Sequence, residues 1–147
     1  MKKIMYYIIG LVVVLLLLFW GLAIMSKNGE AAGLVDGKLA PLPDSPNCVC
    51  SEEHTAGDFR VEPFEGQREM WDRMKAAVKD LGGEIKIEDE FYIHAEFSSS
   101  IFGFVDDFEA RYDAEKKLIH FRSASRVGHS DMGVNKKRVE AIRAKLK

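Results

Sequence analysis

Five side chains in the second half of the chain could do acid–base or metal chemistry: His94, Glu96, Asp107, Glu109 and His120. They fall at alternate positions of segments that read as β-strands, so each projects from one face of its strand. Two histidines and a carboxylate brought together across neighbouring strands would make a metal centre or an acid–base pair. The same residues equally suit a solvated sheet face that pairs its charges across strands. Cys48 and Cys50 are a second candidate, with a redox role. A bond between them would close a tiny, strained loop, and strained disulfides are the easily reduced ones. The plainer reading is one buried structural thiol and one incidental thiol. Two thiols do not complete a structural zinc site, which takes four ligands, so no resident metal or other cofactor is expected. His54, in a polar segment, reads as incidental.

The third candidate is the run from Arg122 to Arg138, where a strand ends, a loop bracketed by Gly128 and Gly133 follows, and a helix begins. Lys136, Lys137 and Arg138 then occupy the first helical turn, which already carries partial positive charge. Something must offset them. The favoured offset is internal: Asp131, Asp106, Asp107 or Glu109 pairs with these cations or with Arg122 and Arg126. The alternative is an external anion held by Arg122, Arg126, Ser130, Asn135, Lys136 and Arg138 together with loop amides. Two familiar motifs fail here. Gly128 and Gly133 have the gap of a phosphate loop, but Val134-Asn135 stands where Lys and Ser/Thr are needed. Gly128-His129-Ser130 begins like a nucleophile elbow, but the next glycine comes one residue late.

These residues need elements to position them. A helix is predicted from about Gly66 to Leu81, with Met70, Trp71, Met74, Ala77, Val78 and Leu81 on one face and Gly82-Gly83 as the stop. Four strands follow by alternation, around Ile85–Ile87, Phe91–Phe97, Phe104–Tyr112 and Ile119–Arg126, with a hairpin turn at Asp113–Lys116. A short strand around Phe59–Val61 precedes the helix. The period of two implies one buried and one wet face. A last helix runs from about Lys136 to Lys145, with Asn135 as N-cap and Val134 and Val139 placed for a hydrophobic staple. The expected fold is α+β: an antiparallel sheet of four to five strands with two helices on one face, preceded by one N-terminal transmembrane helix.

The transmembrane reading comes from Ile4–Met25, which has no charge. As a helix it spans ~33 Å, against a hydrocarbon core of roughly 30 Å. A cleaved signal would have a shorter apolar run and a small-x-small site close behind it, whereas Gly29-Glu30-Ala31 lies well beyond the end. Lys2 and Lys3 outweigh Lys27, which keeps the N-terminus cytoplasmic and the rest extracytoplasmic. Without those three lysines, 21 Lys+Arg become 18 against 23 Asp+Glu, a net of −5, which disfavours nucleic acid as a partner. The chain thus divides into an anchor (1–25), a flexible Gly/Pro linker (26–43) and one extracytoplasmic domain (44–147).

Three motifs carry a family resemblance. They are Ser45-Pro46-Asn47-Cys48-Val49, Phe102-Gly103-Phe104-Val105-Asp106-Asp107, and Ser123-Ala124-Ser125-Arg126-Val127-Gly128 continued by Ser130-Asp131 and Gly133-Val134-Asn135 with Arg138-Val139-Glu140. In order and over about Leu39 to Leu146, they resemble domain-of-unknown-function family 1499. The resemblance implies a membrane-anchored or exported protein and carries no catalytic residues over. Many relatives have Cys where this chain has Leu42, and Ser where it has Cys50. A pair between the first of those and Cys48 would here be lost or moved to Cys50. The functional expectation is a non-enzymatic binding or structural module of the cell envelope. Its partners are the bilayer through residues 4–25 and a protein or small anionic ligand. The alternative is a metal-dependent or hydrolase-like enzyme on the polar sheet face.

Overall fold

A computed structural model describes residues 2–147. Its elements are α1 (Lys2–Lys27), β1 (Leu34–Val35), β2 (Lys38–Leu39), β3 (Cys48–Cys50), a 3-10 turn (Gly57–Phe59), β4 (Phe64–Glu65), α2 (Arg68–Asp80), β5 (Glu84–Glu88), β6 (Tyr92–Ser98), β7 (Val105–Asp113), β8 (Leu118–Ser125) and α3 (Val134–Leu146). The strands β5 to β8 form the expected antiparallel meander. The sheet is larger than expected, because β3 and β4 both return to pair with β8, giving six strands in the order β3-β8-β7-β6-β5 with β4 beside β3. A separate hairpin pairs β1 with β2.

Both α2 and α3 pack on one sheet face. Trp71, Met74, Ala77 and Val78 of α2 and Val139, Ile142 and Leu146 of α3 meet Ile93, Ala95, Phe108, Ala110, Ile119 and Phe121. Burying each of the larger side chains stabilises the fold by roughly 1.5–3 kcal/mol before entropy. The helix α2 stops at Gly82, whose φ of +89° a residue with a Cβ rarely adopts. Gly83 is required by proximity: a Cβ there would come within 2.6 Å of Phe97 and 2.7 Å of Val78.

Four sequence expectations change. No strand covers Phe59–Val61; the 3-10 turn ends at Phe59, Arg60 makes a single bridge to Cys50, and the strand comes at Phe64. Asn135 is not the N-cap of α3. It lies inside the first turn, fully buried, and Gly133 caps in the left-handed conformation. Val134 is 45% exposed, so it makes no buried staple. The largest change concerns 26–43, expected as a flexible linker between anchor and domain. Leu39 and Ala40 of that segment are buried, and Pro43 and Gly29 border β8 residues. The segment is a strap laid across the sheet face opposite the helices.

Candidate functional site

The face under the strap carries the residues singled out for chemistry. The strand β6 presents Tyr92, His94 and Glu96; β7 presents Asp107, Glu109 and Arg111; β8 presents His120 and Arg122, and Arg126 follows. This face is not wet: His94, Asp107, His120 and Arg122 are each at most 5% exposed, and Glu109 is fully buried. Charges at such depth persist only when paired and hydrogen-bonded. Here they form three groups.

In the first group, Arg126 lies between two carboxylates. Its Nε donates to Asp107 Oδ2 at 2.8 Å, and its Nη2 donates to Asp107 Oδ1 at 2.7 Å and Glu96 Oε1 at 2.6 Å. His94 Nε2 contacts the same Asp107 Oδ1 at 2.7 Å. The guanidinium also donates from Nη1 to the Ser26 carbonyl at 3.1 Å, tying the end of α1 to the sheet. The hydrogen bonds to Asp107 raise the Arg126 pKa against burial. Burial opposes the Asp107 carboxylate, but His94 and Arg126 outweigh it and hold its pKa low. In the second group, Glu109 accepts from Arg122 Nη1 at 2.7 Å, Tyr92 OH at 2.8 Å and the strap amide of Gly33 at 2.7 Å. Burial, then Glu109, pushes the Tyr92 phenol up and keeps it a donor. In the third, Glu52 accepts from Arg111 Nε and, at 3.0 Å, Arg111 Nη2, and from the strap amide of Leu39 at 3.1 Å. His120 Nδ1 lies 3.6 Å from Glu52 and 3.3 Å from Ser51 Oγ, while its Nε2 has no partner among the described residues. Burial lowers the His120 pKa, with Glu52 opposing, so the ring is held neutral.

A metal reading has one geometric support. His94, Glu96 and Asp107 offer ligand atoms within 4.8 Å of one another. Arg126 weighs against it. The guanidinium already supplies the positive charge to both carboxylates, and a divalent cation would have to displace it from a site where the arginine side chain is 5% exposed. His120 belongs to the Glu52 group and does not join His94.

In the Arg122–Arg138 segment the three arginines find their counter-charges internally. All four acids named as candidates are used: Glu109 by Arg122, Asp107 by Arg126, Asp106 by Arg138 Nη2 at 2.7 Å, and Asp131 by the helix itself. Asp131 accepts from the amides of Gly133 at 3.0 Å and Asn135 at 2.7 Å, supplying a negative group at the start of α3. Its pKa is lowered, since those amides outweigh the opposing effect of burial. Asn135 is a structural cross-tie: its amide donates to the Asn47 carbonyl at 3.0 Å and Ser125 Oγ at 3.0 Å, and its oxygen accepts from Ser123 and Arg138. Lys136 borders a recess of about 220 Å³ with Ser130, Asp131, Cys48 and Asp58. Ser130 otherwise turns back on its own loop.

Cys48 and Cys50 are free, buried thiols. Burial raises both pKa values, which makes them poor nucleophiles. The Cys48 thiol donates to the Ser45 carbonyl at 3.0 Å, while Cys50 packs with Leu39, Tyr92 and Leu42. Leu42 thus fills space beside Cys50, and Cys48 and Cys50 are not bonded to each other.

Sequence reasoning missed Glu52, Arg111, Tyr92, Asn47 and Ser26 as parts of this layer. One signal was available. The cations buried on this face are all arginines, the residue suited to desolvated bidentate pairing, whereas lysines such as Lys38, Lys86 and Lys116 stay at the surface. The contacts of α1 had no signal at all: Ser26 Oγ accepts from the Val105 amide at 2.8 Å, and Phe19 stacks on Phe102 at 5.3 Å between ring centroids.

Comparison with curated proteins finds no match. Comparison with protein families does: the model of the family described as "Protein of unknown function (DUF1499)" covers residues 38–146, including the whole charged layer from β2 to α3, and the chain belongs to that family.

Proposed function

We propose that this protein is a single-pass membrane protein with a cytoplasmic N-terminus, whose extracytoplasmic domain is a non-enzymatic binding or structural module of the cell envelope. The observation that carries this reading is the closed charge layer. Every carboxylate on the polar sheet face is matched by a buried arginine or a strap amide, and the strap runs directly from α1. An enzyme needs charged groups converging on a space that substrate can enter. Here the carboxylates and arginines of that face are spent on one another. Retention of α1 is supported by packing as well as by length. Ser26 is fully buried and bonds both the amide and carbonyl of Val105, so cleavage near Ala32 would strip a piece of the domain's own interior.

Topology is tested with tags at both termini in intact spheroplasts. External protease should remove the C-terminal tag and spare the N-terminal one. Loss of the N-terminal tag alone, or a mature N-terminus near Ala32, would sink the proposal. The enzyme alternative keeps one supporting observation, the convergence of His94, Glu96 and Asp107. Stoichiometric metal in the protein as isolated, lost with His94→Ala, would favour it.

A further inference from the structure

The apolar run of α1 ends at Met25, but the domain does not start there. It reaches back along the helix. Phe102 stacks on Phe19 with centroids 5.3 Å apart, and Phe104 meets the same ring edge-on at 6.4 Å. Phe19 lies six residues before Met25, about 9 Å along the helix axis. For a run only ~3 Å longer than the hydrocarbon core, that depth is inside the core. Whatever touches Phe19 therefore lies below the headgroups when α1 spans the bilayer.

What touches it is the hairpin joining β6 to β7. Its tip carries Ile101, 84% exposed, beside Phe102. A second apolar side chain stands nearby. Met132 is 87% exposed, and its backbone is in the left-handed region at φ +53°, unfavourable for any residue with a Cβ. Between these loops and α1 lies a groove of about 430 Å³, lined by Phe19, Leu22, Phe104, Val127, Met132 and Val134 among others. Its two carboxylates are already engaged, Asp106 by Arg138 and Asp131 by the amides of α3. Lys27 marks the level of the headgroups: a Cβ at Gly103 would lie 3.1 Å from its Nζ, so the ammonium sits over the neck of the hairpin.

We propose that the β6–β7 hairpin tip and Met132 are immersed in the bilayer leaflet on the domain's side, and that a lipid acyl chain fills the groove between them and α1. The proposal rests on the membrane-spanning reading of α1. It commits to lipid because the groove is continuous with the helix surface that lipid must cover, and because its exposed lining is aliphatic and aromatic. The domain is then seated in the membrane surface in one fixed orientation.

The test is tryptophan quenching by acyl-chain bromines, with the full chain reconstituted in brominated phosphatidylcholine vesicles. Trp71 is fully buried in the core and serves as the unquenched reference. Trp20, read as the difference between wild-type and Trp20→Phe protein, reports whether α1 is inserted. Ile101→Trp and Met132→Trp, each in the Trp20→Phe background, report the hairpin and the groove. The expected result is that both lose most of their added emission, more to bromines near the headgroup than to bromines at the bilayer centre. If both stay bright while Trp20 is quenched, the proposal falls and the anchor stands. Quenching at Ile101→Trp alone would overturn the acyl chain in the groove. If Trp20 itself is unquenched, the anchor reading falls and takes this one with it. Should one variant unfold, seen as a red shift of Trp71, the other site decides.

Discussion

Replacing Arg126 with alanine should cost more than any other single truncation on the polar face. The side chain is 5% exposed and makes three hydrogen bonds to Asp107 and Glu96 plus one to the Ser26 carbonyl. Removing one member of a buried pair leaves the other charge unpaired, which costs about 3–5 kcal/mol. One feature reduces that figure: the Glu96 side chain is 23% exposed and can be partly hydrated. An expected loss of about 3 kcal/mol follows, near the lower end of the range for a broken buried pair. For a domain of this size it corresponds to a Tm lower by about 10 °C. Urea unfolding followed by Trp71 emission in the Trp20→Phe background reads the domain alone, since Trp71 is in its core. The double variant Arg126→Met/Asp107→Leu should regain much of the loss, because it removes both charges. A loss below about 1 kcal/mol for Arg126→Ala, the range of a solvated surface pair, would refute the reasoning. The guanidinium would then be in water and the strap not closed.

The same variant makes a qualitative prediction. With the guanidinium gone, His94, Glu96 and Asp107 remain within reach of one ion, so Arg126→Ala should take up zinc in equilibrium dialysis where the wild-type protein takes up none. Stability should also depend on pH in two stages. Burial lowers the His120 pKa, so the unfolded chain binds that proton more readily, and stability is full above about pH 6.5 and falls as pH drops below it. Glu52 and Asp107, whose pKa values are held low in the fold, add a second loss as pH falls below about 4–5. Urea midpoints between pH 4 and pH 8 measure both, and His120→Gln should flatten only the upper stage. Finally, Cys48 and Cys50 should react with a thiol reagent no faster than the domain opens, at a rate that rises in urea. Rapid labelling of the folded protein would contradict their burial.

The helix-side half of the fold was legible because one physical signal wrote it. The stripe Trp71, Met74, Ala77 and Val78 and the alternation Ile93, Ala95, Phe97 are apolar periodicities, and they fixed α2, β6 and the antiparallel meander. The other half obeys the same geometry but reads differently. A sheet face of His94, Glu96, Asp107, Glu109 and Arg122 has the composition of a solvated surface, and its burial depends on the strap, which has no periodicity. The glycines that suggested flexibility serve defined geometry instead: a Cβ at Gly29 would come within 2.9 Å of the Arg126 side chain, while Gly33 and Gly37 take positive φ of +72° and +75°. Charge sign alone pointed to Asp106, Asp107, Glu109 and Asp131 as acids near these cations, and Arg122, Arg126 and Arg138 each meet one of the first three. Which acid meets which arginine was not readable, because that depends on the register placing Glu109 opposite Arg122 and Arg126 diagonally across from Asp107.

The strap after α1 is a closed cover over a paired charge layer. Amide hydrogen exchange of residues 29–42 in the full-length protein tests it most directly. The amides of Gly33 and Leu39 donate to the buried carboxylates of Glu109 and Glu52, and that of Ala40 donates to the Gly33 carbonyl. These three should exchange as slowly as amides of β7 and β8, and faster in Arg126→Ala. Exchange within seconds in the wild-type protein, at the rate of an unstructured tether, would contradict the account.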